Sequence, residues 1–473
     1  MRFRLHPIRA QADTGNVTRP VPDAPRPVRV FDVLAGLSLA LDLAEGQRDG
    51  HTMRATLTAM VLAERLGLPL AERRDLYVAS LVRDLGGTAC AALLHAGMGV
   101  DDRYARRGLK LVDWTRASRA VRAARAPDQS WLAAAPSFQG PGRVARLLEQ
   151  AARLRCERGA TLALRLGLGR GVAGILAATD EHWDGSGLPA GLQAGRIPIG
   201  ARVTLLADVV AAHVSASSPS AANAMARARA GRWFDPTLVR ALDGLEVECL
   251  RWNDLSDGAL FDAVRAAEPD GGALLAGDAM LDRIATAYAE VVDAKSAWML
   301  GHSKRVAEVA DRIAIRLTLD EAARRDLRRA ALLHDLGKLS LPNALLEKPG
   351  PLTAEQWQRV SLYPWYSGRI LARTPGLEPL APIAVAHHER LDGRGYPSGL
   401  RGAEIPAAAR IVAIADGFEA LTADRPWRPA LPDDTALRLL ARDRGIGVDG
   451  GVLAALADAL GHDAPGEPFR RAG

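Results

Sequence analysis

Two related stretches of sequence decide the fold: Gly50–Gly87, GHTMRATLTAMVLAERLGLPLAERRDLYVASLVRDLGG, and Gly301–Lys338, GHSKRVAEVADRIAIRLTLDEAARRDLRRAALLHDLGK. In the second stretch Val306, Val309 and Ile313 recur at steps of three and four, which is typical of an amphipathic helix. Aromatic residues make up only 5% of the chain, while alanine, leucine and arginine, which favour helix, are abundant. We therefore expect an all-α protein.

A second pair of stretches repeats in the same order. Thr179–Asp208 reads TDEHWDGSGLPAGLQAGRIPIGARVTLLAD, and His387–Asp416 reads HHERLDGRGYPSGLRGAEIPAAARIVAIAD. Two gapless blocks in the same order indicate an internal duplication. We predict a flexible, proline-rich N-terminal arm at 1–28, a first copy at 29–250, a connector at 251–278 and a second copy at 279–465.

Composition limits the classes of function. The net charge of +6 comes from arginines scattered along helical segments, which favours solvated helix faces over a nucleic-acid-binding surface. Cys90, Cys156 and Cys249 are widely spaced, so neither disulfides nor a zinc site is expected. We see no signal peptide and no apolar run of about 18 residues, so we predict a cytoplasmic protein without a membrane span.

The second copy contains a set of side chains suited to binding metal. Paired His-Asp and His-His dipeptides suit a binuclear centre, in which one carboxylate bridges two ions. The adjacent histidines can both reach metal only if the backbone bends or unwinds there. Imidazole with carboxylate favours Fe, Mn or Zn over Ca or Mg. The candidate ligands are His302, His334, Asp335, His387, His388 and Asp416.

Such a centre would suit phosphoryl chemistry. Two ions about 3.5–4 Å apart clamp a phosphate and hold a bridging hydroxide as the nucleophile. Lys338 follows His334 by one helical turn and is placed to offset charge that grows on the phosphoryl oxygens. We also expect Gly337 to cap the helix that ends in ALLHDLG.

The motifs of the second copy resemble the HD-GYP family of metal-dependent phosphohydrolases. The resemblance covers LLHDLGK, HHERLDGRGYPSGL and IVAIADGFEALTADRPWRPA. It implies hydrolysis of cyclic di-GMP by two divalent ions, Fe or Mn, in a helical bundle. It also implies that the six candidates are the metal ligands and that Asp335 and Lys338 act in catalysis. The implied substrate-binding residues are Tyr396, Arg425 and Arg428.

Two positions depart from the family's pattern. Tyr363 stands where the family usually has a further metal-binding histidine, and a phenol with a reference pKa of about 10 is a poor ligand. Trp298 stands where some members have a glutamate that binds a third metal. These departures predict a weakened, water-filled or empty metal position and exclude a trinuclear site.

The first copy has lost most of this chemistry. His51, Asp84 and Asp208 remain, but Arg83 replaces the HD histidine, and we expect it to pair with Asp84 or Asp208. The positions equivalent to Lys338, His387 and His388 hold Gly87, Thr179 and Asp180. Those equivalent to the substrate residues hold Leu188, Ser217 and Ser220. We interpret copy one as a degenerate HD-type domain that regulates or packs against copy two.

Several functions fit this sequence. The leading hypothesis is a cyclic di-GMP phosphodiesterase. The second is a weak or inactive regulator that binds a cyclic dinucleotide or docks a partner, because Tyr363 replaces a ligand. The third is an HD hydrolase of another phosphoester, such as a different cyclic dinucleotide. The family resemblance implies diguanylate cyclase domains as partners, and a homodimer is a further prediction. We expect no DNA-binding domain in the C-terminal residues ending in GEPFRRAG.

Overall fold

The fold is built from helices. A computed structural model describes residues 27–124, 141–270, 274–425 and 428–462. Across these described residues β structure is limited to isolated bridges, and the all-α prediction is confirmed.

The first half of the chain contains the helices α1 Val30–Ala44, α2 His51–Arg65, α3 Leu70–Leu81, α4 Ala91–Met98, α5 Asp102–Leu111, α6 Ala117–Ala124, α7 Pro141–Arg165, α8 Arg170–Ala177, α9 Ile199–Ala216, α10 Pro219–Ala228, α11 Pro236–Ala241, α12 Glu246–Asp254 and α13 Asp257–Ala266. Short 3-10 helices lie at Gly87–Cys90 and Ala194–Arg196.

The second half contains α14 Asp278–Asp293, α15 His302–Arg316, α16 Glu321–Leu333, α17 Asn343–Leu346, α18 Ala354–Val360, α19 Tyr363–Leu371, α20 Ala381–Ala386, α21 Ala407–Thr422, α22 Asp433–Ala441 and α23 Gly450–Leu460. Its 3-10 helices are Ala297–Met299, Leu336–Ser340, Glu378–Leu380 and Gly402–Glu404.

The amphipathic helix predicted after His302 is α15. Val306 and Ile313 are fully buried on its inner face, as the steps of three and four require. The prediction of this helix is confirmed. α18 begins with a capping box, in which the Thr353 and Gln356 side chains each bond the other's backbone N–H.

The duplication extends to the way the helices begin. α2 and α15 each start after a glycine with a left-handed backbone, Gly50 at φ 77° and Gly301 at φ 75°, a conformation that favours glycine. One residue inside each helix, a buried carboxylate from the preceding helix accepts two hydrogen bonds. Asp42 binds the backbone N–H and hydroxyl of Thr52, and Asp293 does the same for Ser303.

Burial raises the pKa of Asp42 to about 6 despite these hydrogen bonds. A raised folded-state pKa gives stability that is present below the unfolded pKa and lost as pH rises through about 6. We expect the stability of Asp42→Asn relative to the wild type to increase as the pH rises from about 4 to about 8. The variant keeps an acceptor at Oδ1. The gain should reach up to about 3 kcal/mol. Melting temperatures of both proteins across this range measure it, and the exposed Asp254→Asn serves as the control. A constant difference between Asp42→Asn and wild type would contradict the prediction.

The two copies share one hydrophobic core. The largest buried cluster runs from Val30 in α1 to Ala384 in α20, and α1 packs against α19 and the 3-10 helix Leu336–Ser340 of the second copy. The segment 251–278 between the copies contains α13, and its Leu260 and Val264 are fully buried in the same cluster. Apolar residues at steps of four give α13 a core-facing side, so this segment contributes to the core as well as connecting the copies.

A buried ion pair joins the copies. Lys295 Nζ lies 2.8 Å from Asp102 Oδ2, and both side chains are fully buried. The other oxygen of Asp102 accepts the N–H of Asn343 at 2.7 Å, so a residue of α5 holds the start of α17. Nearby, Arg103 donates to the backbone carbonyl of Ser340.

Most of the predicted N-terminal arm, 1–28, and the last residues of the predicted second copy lie outside the described residues. Within the described part of the chain, Ile199–Ala216 is the helix long and apolar enough to cross a membrane, and 72% of it is buried inside the protein. That burial is expected of a core helix.

Candidate metal centre

Three helices of the second copy bring four of the predicted ligands together. His302 is the first residue of α15, His334 and Asp335 follow the end of α16, and Asp416 lies in α21. His302 Nε2 lies 3.2 Å from Asp416 Oδ1 and 3.5 Å from Asp335 Oδ2. His334 Nε2 lies 3.3 Å from Asp335 Oδ2. Ligand atoms of the two histidines and Asp335 all fall within 4.8 Å of one another.

The second nitrogen of each histidine has a partner that sets the ring's orientation. His302 Nδ1 lies 2.5 Å from Glu419 Oε2, and His334 Nδ1 donates to the carbonyl of Ala331 at 2.7 Å. Metal-binding histidines are commonly oriented in this way. Among the described residues, Nε2 of both histidines and Oδ1 of Asp335 are buried without a hydrogen-bond partner. These atoms fit one divalent cation.

The electrostatics of the cluster also favour a cation. Burial would raise the pKa of Asp335, but His334, Lys338 and His302 outweigh burial and hold it well below its usual range. Burial would lower the pKa of His302, yet the nearby carboxylates of Asp335, Asp416 and Glu419 raise it well above its usual value. The carboxylates of Asp335, Asp416 and Glu419 thus favour a positive charge at His302, and a bound cation would supply one in place of the ring proton.

The remaining two predicted ligands are held by the unusual tyrosine. α20 ends at Ala386, so His387 and His388 lie in the turn that follows, where the backbone leaves the helical path. The hydroxyl of Tyr363 lies 3.0 Å from His387 Nε2 and 2.5 Å from His388 Nε2. The hydroxyl thus contacts both nitrogens that a second metal ion would need.

The hydrogen-bond chain fixes the protons of this group. His387 Nδ1 donates to the carbonyl of Ala384 at 2.6 Å, so its Nε2 accepts the Tyr363 hydroxyl proton. The oxygen of Tyr363 then accepts a hydrogen bond from the N–H at His388 Nε2. Burial lowers the pKa of His388 to about 4 and raises that of Tyr363 well above its usual value. Both groups are therefore neutral in this structure.

Lys338 lies beside the predicted bridging carboxylate. Its Nζ is 2.5 Å from Asp335 Oδ2, within the 3-10 helix Leu336–Ser340. The prediction that Gly337 caps α16 is wrong, because α16 ends at Leu333 and Gly337 belongs to this 3-10 helix. A Cβ at Gly337 would lie 1.8 Å from the carbonyl oxygen of Tyr363. Glycine is required there because two backbones meet.

Tyr396 lies at the edge of the same group. Its ring stacks on His388 with centroids 4.8 Å apart, and Trp357 packs edge-on against it at 5.3 Å. The loop that carries Tyr396 is held by Glu389, which accepts the backbone N–H groups of Ser398, Gly399 and Leu400. Sequence reasoning missed Glu389. The signal was its retention as Glu181 in copy one, where Glu181 accepts N–H groups of the matching loop.

The two predicted substrate arginines are placed differently. Arg425 donates to Glu419 Oε2 at 2.8 Å and lies over the ring of Trp298 at 4.8 Å. Arg428 donates to the carbonyls of Ala420 and Leu421 at the end of α21. Arg425 is therefore tied to the metal cluster through Glu419, whereas Arg428 caps a helix. Sequence reasoning also missed Glu419. The signal was a difference between the copies, because copy one has an alanine, Ala211, at the equivalent position.

In copy one, side-chain cations take the place of metal. Arg83 Nη1 lies 3.2 Å from Asp84 Oδ1 and 2.9 Å from Asp208 Oδ2, so it pairs with both carboxylates where pairing with one or the other was predicted. Lys110 Nζ lies 3.0 Å from Asp84 Oδ2 and from Asp208 Oδ1. His51 Nε2 completes the group at 2.8 Å from Asp208 Oδ1. The retained ligands of copy one are thus engaged by Lys110 and Arg83.

Lys110 and a further cation, Arg155, were not predicted. Lys110 lies on α5, and Arg155 lies on α7 at the position that matches Tyr363 of copy two. Arg155 pairs with Asp180 and lies 3.2 Å from Asp84 Oδ1. A lysine and an arginine within helical patterns are usually solvated, so the sequence carried no signal for their burial.

The family comparison agrees with the duplication. The family model described as "HD domain" matches residues 149–238 and 287–452, so it touches both copies. The longer matched segment contains every residue of the copy-two cluster.

Relatives and a solved structure extend this comparison. The chain is 36% identical to the 3'3'-cGAMP-specific phosphodiesterase 3 of Vibrio cholerae over 435 residues, 91% of this chain and 94% of the relative. It is 41% identical to a cyclic di-GMP phosphodiesterase of Thermotoga maritima over 139 residues, 29% of this chain and 38% of the relative. The crystal structure of the V. cholerae cyclic GMP-AMP-specific phosphodiesterase V-cGAP3 matches 92% of this chain and 98% of its own, with a TM-score of 0.63 and 32% identity. The chain therefore belongs to the HD-domain family, and within it to the HD-GYP-type phosphodiesterases.

Proposed function

We propose that copy two hydrolyses a phosphodiester bond of a cyclic dinucleotide with the help of a divalent metal. The observation that carries this proposal is the buried group of His302, His334 and Asp335, whose unpartnered ligand atoms converge. Asp416 Oδ1 lies beside this group, 3.2 Å from His302 Nε2. The relatives above support the substrate class, since their names specify cyclic dinucleotides.

Among cyclic dinucleotides we rank 3'3'-cGAMP before cyclic di-GMP. The relative that aligns with both copies is specific for 3'3'-cGAMP, whereas the cyclic di-GMP phosphodiesterase of T. maritima aligns with 29% of the chain. An alignment that spans both copies is the stronger support, because the two copies share one core.

Each residue then has a role. His302, His334, Asp335 and Asp416 would hold the metal, Fe or Mn, which supplies a polarised phosphate and an activated water when bound. Lys338 offsets charge on the phosphoryl oxygens. Tyr396 presents a ring for stacking on a base, and Arg425 supplies a guanidinium for a phosphate.

Hydrolysis of 3'3'-cGAMP and cyclic di-GMP by anaerobically purified protein with Fe(II) or Mn(II) tests the proposal. We expect the wild type to form linear or mononucleotide product and His334→Ala to form none, because the variant loses a ligand at the cluster. The exposed His462→Ala is the matched control and should retain full activity. A wild type that contains metal yet forms no product would overturn the proposal.

A second candidate function is a regulator that binds the nucleotide without hydrolysing it. The contact of Tyr363 with both His387 and His388 favours it, because one hydroxyl engages two predicted ligands. Saturable nucleotide binding without product in the same assay would select this candidate. Docking to diguanylate cyclase domains, a homodimer and a cytoplasmic location stay predictions.

A further inference from the structure

Copy one contains a cavity of about 100 Å³ beside its degenerate site. It lies among α4, α5, α7 and α9, and its apolar wall includes Leu94, Leu109, Trp114, Leu148 and Trp233. The rings of Trp114 and Trp233 lie 6.3 Å apart at a tilted angle. An apolar cavity with two indole rings suits a flat, apolar group.

The polar side of the cavity has more donors than acceptors. Arg83 and Arg106 line it and are 6% exposed, while Trp233 is 3% exposed. Among the described residues, Arg83 Nε, Arg106 Nη1 and Trp233 Nε1 are buried without a hydrogen-bond partner. All three atoms can only donate, and an unpaired buried donor is costly. A ligand that accepts hydrogen bonds would satisfy them.

The carboxylates nearby do not meet this need, because they are already engaged. Arg106 pairs with Glu45 through its other terminal nitrogen. Arg83 and Lys110 bridge Asp84 and Asp208, and Arg155 holds Asp180. The unmet donors therefore belong to the cavity and not to the ion pairs around it.

The size of the cavity sets the size of the ligand. About 100 Å³ equals the liquid volume of roughly three water molecules. A dinucleotide is far larger than this, whereas a single aromatic ring with a carboxylate is of the same order of size. Guanidinium binds carboxylate well, so the acceptor group that fits best is a carboxylate.

We propose that copy one binds one small aromatic carboxylate in this cavity. The ring packs against Trp114 and Trp233, and the carboxylate accepts from Arg106. This site is separate from the copy-two cluster and does not depend on the phosphodiesterase proposal.

Titration of the full chain with benzoate tests the proposal. Binding is measured by calorimetry and by saturation-transfer NMR. We expect one saturable site per chain, and at least tenfold weaker binding of benzyl alcohol, which has the same ring without the charge. Absence of saturable benzoate binding, or equal affinity for the alcohol, would overturn the proposal.

Two variants locate the site. Leu109→Trp fills the cavity without removing a charge and should abolish binding. Glu45→Gln with Arg106→Met removes a charge pair together and so avoids an unpaired buried carboxylate. It should weaken binding at least tenfold. Arg107→Met, at the exposed neighbouring position, should bind as the wild type does. Binding that survives in Leu109→Trp, with its melting temperature unchanged, would place benzoate elsewhere and overturn the proposal.

Discussion

Replacing Tyr363 by histidine is expected to raise the bound metal from one ion to two per chain and to speed cyclic dinucleotide hydrolysis by roughly 100-fold. In the wild type the Tyr363 hydroxyl accepts from His388 and donates to His387, so neither imidazole is free for metal. Histidine removes the hydroxyl and adds a nitrogen ligand. Metal content after loading with Mn(II) and dialysis measures the first effect, and initial rates measure the second.

Two controls separate the causes of this effect. Tyr363→Phe frees His387 and His388 but adds no ligand, so it should bind less of the second metal than Tyr363→His. Trp365→His places a histidine at an exposed position of the same helix and should behave as the wild type. A wild type that already holds two ions, with Tyr363→His unchanged in metal content, would contradict the prediction independently of any activity.

Replacing Lys110 by methionine is expected to destabilise the protein by about 3–5 kcal/mol, the usual cost of leaving a buried charge without its partner. Lys110 Nζ lies 3.0 Å from both Asp84 and Asp208, and all three side chains are buried. The melting temperature should fall by about 3–5 °C, given the unfolding entropy expected of a chain of 473 residues. Differential scanning calorimetry of the full chain measures the change.

A double variant tests whether the loss of the Lys110 charge causes this destabilisation. Adding Asp208→Asn to Lys110→Met removes the opposite charge and should recover part of the lost stability, since the two residues are coupled. The exposed Lys304→Met should leave the melting temperature unchanged. A double variant that is less stable than Lys110→Met would indicate that packing of the lysine chain, and not its charge, was lost.

The helical class and the ligand cluster were predictable because both depend on local patterns. Steps of three and four gave α15, and the comparison between copies drew attention to His334 and Asp335. Glu419 was harder to find, because its partner His302 is distant in sequence and a glutamate in a helix is usually solvated. The burial of Lys110 on α5 and of Arg155 on α7 depends on tertiary packing that no periodicity describes. The contact of Tyr363 with His387 and His388 could be seen only in the structure, although the sequence already showed that Tyr363 departs from the family's pattern.

Helix α5 constrains how this protein can evolve. One helix supplies Asp102 to Lys295 in the second copy and Lys110 to the carboxylates of the first. A mutation that shifts or removes this helix would strip partners from charges in both halves at once. Copy one could therefore lose its catalytic residues one at a time, whereas the charged residues of α5, which joins the halves, could not change singly. The gene is expected to keep both halves fused, and lineages should change Asp102 and Lys295 together.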